Sequence, residues 1–269
     1  MKEGYFDSHA HYDHKLFNGN GPSVVQELFR SGLLCAAVIP AITYESNFNR
    51  HLFPAEQFPF IYYAPGLHPK YATNTAFWTK EQRQEFLSVL ELPHTVAVKT
   101  GLDFKKTTLT DGQKQLQIKF FRLMIEIANE KHLPLVLHIR DAVEEAIAVL
   151  TETPPLFGAV THCSTYDPHT TQRLMNAGVT HFGIGGKVTR EENIPLQEAV
   201  RLMPWEAILL ETDAPFVRPQ GITDALNTSA NLPLIAQKIA ALKNTEITDV
   251  MSVTRCNAFR FFGLKETAE

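Results

Sequence analysis

Short β-branched and apolar runs alternate along this chain with stretches whose apolar residues recur at helical spacing. The runs lie near residues 4–8 (GYFDS), 34–40 (LCAAVIP), 59–65 (PFIYYAP), 95–101, 134–139 (PLVLHI), 158–162 (GAVTH), 180–185 (THFGIG) and 207–212 (AILLET). Between them, 22–32 reads as a helix capped by Ser23, with Val24, Val25, Leu28 and Phe29 on one face. A longer helix is expected from Asp111 to Lys131, where Leu116, Phe120, Leu123 and Ile127 keep the period. Further helices are expected over 79–91, 141–151, 167–177, 190–202, 230–243 and 246–262, with the weakest pattern over 45–56. Eight strands, each followed by a helix, in 269 residues is the arithmetic of an α/β (β/α)8 TIM barrel forming a single domain. A doubly wound open sheet shows the same alternation, but no glycine-rich nucleotide fingerprint follows the first strand.

Placed on this map, the unusual polar residues fall at strand ends. His9 and His11 follow strand 1, Lys99 lies near the end of strand 4, His138 and His162 close strands 5 and 6, and Asp213 follows strand 8. In a barrel every strand points its C-terminal end at one rim, so these six side chains are expected to share one mouth. Three or four neutral imidazoles with a carboxylate form a donor set for one or two divalent ions such as Zn, Mn, Mg, Co or Ni. A single histidine in an apolar strand is more often a hydrogen-bonded core residue. Five donors at the ends of four strands are not five accidents. His68, in GLHP after strand 3, faces the same rim and is expected to touch substrate or bound water, and Asp7, sharing the parity of His9, is expected to orient a ligand rather than be one. His14, His51, His94, His132, His169 and His181 read as ordinary turn, helix-end or strand residues.

Composition narrows the partners. The chain is 44% hydrophobic and 20% charged with a formal net charge of −4, so bulk electrostatics would not gather a long polyanion. Cys35, Cys163 and Cys256 are scattered without a CxxC, which fits a reducing cytoplasm. There is no apolar run of membrane-spanning length and no signal-peptide pattern. The expected protein is cytoplasmic, off the membrane and monomeric.

The blocks FDSHAHYD, GLHP, VAVKTGLDF, LPLVLHIRDA, GAVTHC, HFGIGG, LLETDAP and NAFRFFGL, in this order, resemble TatD-like metal-dependent hydrolases of the amidohydrolase superfamily. The resemblance spans nearly the whole chain and implies one such barrel over residues 1–269. It also implies divalent-metal phosphodiesterase activity, commonly deoxyribonuclease. Carried over by position, His9 and His11 hold one metal, and His138 and His162 the second. Asp213 both binds metal and handles the proton of an attacking water. Arg140 and Asp141 match a polar pair after strand 5, Arg140 being suited either to phosphate or to a rim salt bridge. Glu211 matches an orienting acid, and Asn257 reads as helix packing.

One position departs from the pattern. Where the resemblance implies a glutamate bridging two metals, this chain has Lys99. Three readings follow: a carboxylated Lys99 that restores an anionic bridge, an ammonium that salt-bridges Asp213 or a phosphate beside a single metal, or a site that binds without turnover. The expected reaction is hydrolysis by a metal-activated water, on a small phosphorylated substrate or a nucleic-acid end, with Lys105, Lys106 and Arg140 as a cationic rim and Phe104 or Tyr12 able to stack a base. A lysine after strand 4 also admits an amide, ester or lactone hydrolase, and the third class is a non-catalytic metal-binding barrel.

Overall fold

The computed structural model describes residues 3–73, 78–105 and 109–265. Eight parallel strands follow one another in chain order: β1 (Tyr5–Asp7), β2 (Leu34–Pro40), β3 (Ile61–Ala64), β4 (Val98–Asp103), β5 (Leu135–Arg140), β6 (Ala159–Thr161), β7 (His181–Ile184) and β8 (Ile208–Leu210). They pair as β1-β2-β3 and β4-β5-β6-β7-β8. Backbone bonds close both seams. Val96 N donates to Tyr63 O at 2.9 Å and Lys99 N to Pro65 O at 2.7 Å on one side, and Ser8 N donates to Leu210 O at 2.9 Å on the other. All eight expected strands are present, β4 beginning three residues later than its pattern suggested.

Helices α1 (Gly21–Arg30), α2 (Lys80–Leu90), α3 (Asp111–Glu130), α4 (Val143–Glu152), α5 (Pro168–Asn176), α6 (Ile194–Leu202), α7 (Leu232–Lys243) and α8 (Ile247–Phe261) surround the strands. Two sequence expectations need correction. Ser23 does not cap α1: the helix starts at Gly21 with Asn20 as N-cap, and Pro22 occupies its first turn, where its fixed φ suits a helix start. The crossover after β2 is a 3-10 helix, Glu45–Leu52. Short polar side chains draw its backbone away from the α pattern. Ser46 Oγ accepts from Ile42 N and Thr43 N, and Asn47 Nδ2 donates to Thr43 O, Tyr44 O and Gly66 O.

Inside the ring, apolar residues fill the lower layer and polar ones the upper. Ala97, Val136, Val160 and Leu209 belong to an inner cluster with Phe6, Ala36 and Val38. Two residues further along the same strands stand Lys99, His138, His162 and Glu211. Period-two alternation carries each polar side chain to the same face one level higher. The foot of this cluster is closed from α8: Phe6 stacks on Phe262 at 5.7 Å and meets Phe259 edge-on at 5.2 Å. Glycines allow the strands to come close where the site begins. A Cβ on Gly66 would stand 1.8 Å from Lys99 O, and one on Gly101, at φ 141°, 1.9 Å from His138 O.

Candidate metal centre

A cavity of about 590 Å³ opens at the C-terminal ends of the strands, and His9, His11, His68, Lys99, His138, His162 and Asp213 all line it. The β1–β8 seam builds the first cluster. Asp213 N donates to His9 O at 2.8 Å and His11 N to Ala214 O at 2.7 Å, so both histidines are zipped beside the carboxylate. Asp213 Oδ1 then lies 3.4 Å from His11 Nε2 and 3.7 Å from His9 Nε2. His11 Nδ1 is 3.0 Å from Pro40 O, a carbonyl that can only accept, so this nitrogen carries the proton. Its Nε2 then faces the carboxylate oxygen of Asp213, where the two can share a cation.

Asp7 has the orienting task expected of it. Its carboxylate does not line the cavity; it accepts from Thr212 N (3.0 Å), Thr212 Oγ1 (2.6 Å), Ser229 Oγ (2.6 Å) and His9 N (3.3 Å). Asp7 thus holds the backbone of β1 to that of β8, beneath His9. Burial raises its pKa to about 6 despite these donors.

The second cluster stands on β4, β5 and β6. His138 Nδ1 is 2.9 Å from His162 Nε2, and His138 Nε2 is 3.2 Å from Asp103 Oδ2. His68 Nε2 lies 3.8 Å from the same oxygen, with its ring 4.2 Å from that of His138. Burial pulls Asp103 upward, yet the hydrogen bonds from His138 and Lys105 N bring it down to about 2. Gln117 fixes its backbone, accepting from Asp103 N at 2.9 Å and donating to Asp103 O at 3.1 Å. Sequence reasoning gave Asp103 no role. The signal was present, because Asp103 shares the parity of Lys99 and Gly101 along β4.

Lys99 is 2% exposed, and its Nζ is 3.4 Å from His9 Nε2. Among the described residues it forms no ion pair: Asp213 is turned to the two histidines instead. Burial lowers its pKa to about 7 against the pull of Asp213 and Glu211. Burial also holds His9 and His162 well below the ordinary imidazole value, followed by the nearby cationic Lys99 and the other histidines, and it lowers His138 and takes His68 down to about 2. Glu211 accepts from Cys163 N, tying the turn after β6 to β8, and its own pKa is raised well above normal by burial and Asp213.

Other expectations fare differently. Arg140 is exposed at the end of β5 and is not among the residues lining the cavity; Lys15 and Lys70 are. Lys105 lines an adjoining cavity of about 260 Å³ with Lys70 and Asp103, while Lys106 lies outside the described residues. Tyr12 is 1% exposed and its hydroxyl is 2.7 Å from Ser229 Oγ, so it is core rather than a stacking surface. Phe104 packs partly buried against the main core, with Lys114 Nζ 5.6 Å from its ring. His14 caps the 3-10 turn Lys15–Phe17, its Nδ1 accepting from Leu16 N at 3.2 Å as a turn residue does, and it also lines the cavity and meets Phe216 edge to face at 5.1 Å. Asn257 packs α8 as expected, donating to Trp205 O at 2.7 Å and Ile208 O at 3.1 Å.

Do these residues suit a divalent ion? His9 Nδ1 and His162 Nδ1 are buried without a hydrogen-bond partner. Lowered imidazole pKa values leave lone pairs free at neutral pH, which is the state that ligates. Among the described residues, three groups have donor atoms within 4.8 Å of one another: His9, His11 and Asp213; His9, His162 and Glu211; and His68, Asp103 and His138. The donor set fits.

A family model described as "TatD related DNase" matches residues 6–263. The chain belongs to this TatD-related DNase family. It is 29% identical over 267 residues to "Uncharacterized metal-dependent hydrolase YabD" of Bacillus subtilis, covering 96% of this chain and 98% of that protein. Against a "3'-5' ssDNA/RNA exonuclease TatD" of Citrobacter rodentium identity is 29% over 266 residues, covering 96% and 98%. The same-named protein of Erwinia billingiae is 33% identical over 206 residues, covering 74% and 76%. Among solved structures, the TatD homologue YJJV of Escherichia coli superposes with a TM-score of 0.86 at 24% identity, covering 98% of this chain and all of that one. A TatD-family hydrolase of Entamoeba histolytica gives 0.82 at 16%, covering 97% and 98%. No helix among the described residues is long and apolar enough to cross a membrane.

Proposed function

We propose that this chain is a divalent-metal-dependent phosphodiesterase acting on a nucleic-acid end or a small phosphorylated substrate, with residues 1–269 forming one catalytic barrel. The observation that carries the reading is the meeting of His9, His11, Lys99, His138, His162 and Asp213 around one cavity. Relatives named as single-strand exonucleases support the substrate class. His9, His11 and Asp213 would hold one ion; His138 and His162 would hold a second. A bound divalent ion supplies Lewis-acid activation of water and of a phosphoryl oxygen. Asp213 takes the proton of the attacking water and passes it to the leaving oxygen as the new P–O bond forms and the old one breaks. Lys15 and Lys70 contact phosphate at the rim, and His68 orients it beside Asp103.

For Lys99 the carboxylated form suits the surroundings best. A buried ammonium needs acceptors for three protons, yet the only hydrogen-bond partner described for Nζ is an imidazole nitrogen. A neutral amine attacks CO2, forms an N–C bond and releases one proton, and the resulting carbamate presents two oxygens to the imidazole clusters. The three free cysteines support a reducing cytoplasmic setting, and the working unit is taken as a monomer.

Metal content by elemental analysis, with and without bicarbonate, tests the site. Turnover of a single-stranded oligonucleotide, bis-p-nitrophenyl phosphate and a lactone panel tests the chemistry. Phosphodiester cleavage abolished in His138→Ala is the expected result. The lysine on β4 favours one competing reading, an amide or lactone hydrolase, and turnover of lactones alone would establish that instead. Tight metal uptake with no turnover would leave a binding barrel.

A further inference from the structure

Among the described large apolar side chains that face solvent, Tyr71 and Phe216 line the metal-site cavity, at 38% and 37% exposure. Isolated exposed apolar residues are common and need no explanation. Phe216 differs because strained backbone holds it there. Val217, a β-branched residue, has φ 50°, and Asp213 has φ 55°. Such left-handed conformations are unfavourable for these residues and persist only where the surroundings enforce them. Here fully buried Asn227 does so: its Nδ2 donates to Phe216 O at 2.7 Å, Thr212 O at 2.8 Å and Val217 O at 3.3 Å. Asn231 Nδ2 in turn donates to Asn227 Oδ1 at 2.8 Å, and Phe216 N closes the turn onto Asp213 O at 2.8 Å.

The fixed ring stands beside the proposed chemistry. Its centroid is 6.2 Å from that of His11 and 5.1 Å from that of His14, both meeting it edge to face. His11 Nε2 is itself 3.4 Å from Asp213. His11 thus neighbours both the ring and the carboxylate. Tyr71 is engaged otherwise, with Lys70 Nζ 4.7 Å from its ring.

We infer that Phe216 is the stacking platform for one unpaired terminal nucleobase, seating the adjoining phosphodiester over Asp213 and the imidazoles. The inference rests on the phosphodiesterase reading and adds to it a selector. A terminal base in a duplex is held by its pairing partner and its stacking neighbour and would have to unpair to enter the cavity, so single-stranded ends are preferred. Stacking discriminates little between bases, because each has a π-face.

Two measurements test this on the full-length protein. Oligonucleotides ending in 2-aminopurine are titrated with and without divalent ion. Wild type quenches the probe, whereas Phe216→Ala binds about tenfold more weakly without quenching and Phe216→Trp restores both. Separately, cleavage of a normal single strand is compared with that of the same strand carrying abasic terminal nucleotides. Wild type prefers the normal end by about tenfold, and that ratio falls to near one in Phe216→Ala. Absence of quenching by wild type overturns the inference, as does a preference that survives Phe216→Ala and disappears in Tyr71→Ala. Quenching without cleavage of any oligonucleotide would sink the phosphodiesterase reading and leave the platform standing. Cleavage with neither quenching nor preference would do the reverse.

Discussion

Lys99 Nζ sits 3.4 Å from His9 Nε2 at the floor of a cavity lined by imidazoles, with no carboxylate paired to it among the described residues. Such a lysine stabilises little as an ammonium, since burying an unpaired charge costs several kcal/mol by order of magnitude. Its retention is explained if the amine is converted to something the cavity can use. Lys99→Glu supplies a carboxylate without CO2. That variant is expected to bind two ions per chain with or without bicarbonate, whereas wild type reaches two only with it. Elemental analysis of both proteins after dialysis decides. One ion per chain in wild type under both conditions would establish the ammonium.

Asp103 is expected to govern the second cluster without touching substrate. Its Oδ2 accepts from His138 Nε2 at 3.2 Å, which leaves Nδ1 as the lone pair facing His162. Losing a carboxylate behind a ligating histidine weakens metal binding by about 10–100-fold. Asp103→Ala should therefore lower the affinity for one ion by that factor while the His9–His11–Asp213 cluster keeps its own. Competition titration with a chromophoric chelator resolves the two steps. An unchanged second step would remove Asp103 from the site.

The residues that sequence alone could identify were those whose position follows from strand parity and a common rim. Lys99, His138 and His162 each stand two residues beyond an inward apolar residue, so both the face and the end of the barrel were readable. The same parity put Asp7 behind His9, and there it orients the ligand, accepting from His9 N while only His9 lines the cavity. The logic carried less far at a strand end. Arg140 shares parity with His138 but stands at the strand's exposed tip. Phe216 and His14 were invisible for another reason: loops held by distant residues, such as Asn227 through its side-chain amide, carry no periodicity.

Acid should destabilise the metal-free protein. His9, His68, His138 and His162 have folded pKa values below the ordinary 6.5, so below that pH the unfolded chain takes up protons the folded one refuses. Stability is then lost as pH falls from 6.5 towards the folded values, about 2 for His68. Lys99 acts in the same sense at higher pH. Its value falls from 10.5 to about 7, so its unfavourable contribution fades as pH rises through that window. Asp7, raised from 3.8 to about 6, and Glu211, also raised, oppose this by binding protons more tightly when folded. Four imidazoles and an amine outweigh two carboxyls. Calorimetry of EDTA-treated protein at constant ionic strength should show Tm rising from pH 5 to pH 8, and a flat or falling Tm would contradict these proton assignments.

Asp7 offers the sharpest separation of scaffold from site, because it organises His9 while lying outside the cavity. Its two oxygens accept from Thr212 N, Thr212 Oγ1, Ser229 Oγ and His9 N. Asp7→Ala strands these buried donors together and should cost about 3 kcal/mol, a fall in Tm of roughly 6–12 °C for a chain of this size. Asp7→Asn keeps one accepting oxygen, and the hydroxyls of Thr212 and Ser229 can rotate to accept from its amide. Its loss should be less than half as large. Only the alanine substitution releases His9 N, because the oxygen that takes both Thr212 N and His9 N has its counterpart in asparagine, so metal affinity should fall further in the alanine variant than in the asparagine one. Thermal unfolding with and without added ion separates the two effects: the ion-dependent increment in Tm shrinks only if the seam positions His9 for binding. An increment preserved in full in Asp7→Ala would mean that the histidines hold their geometry without the β1–β8 clamp.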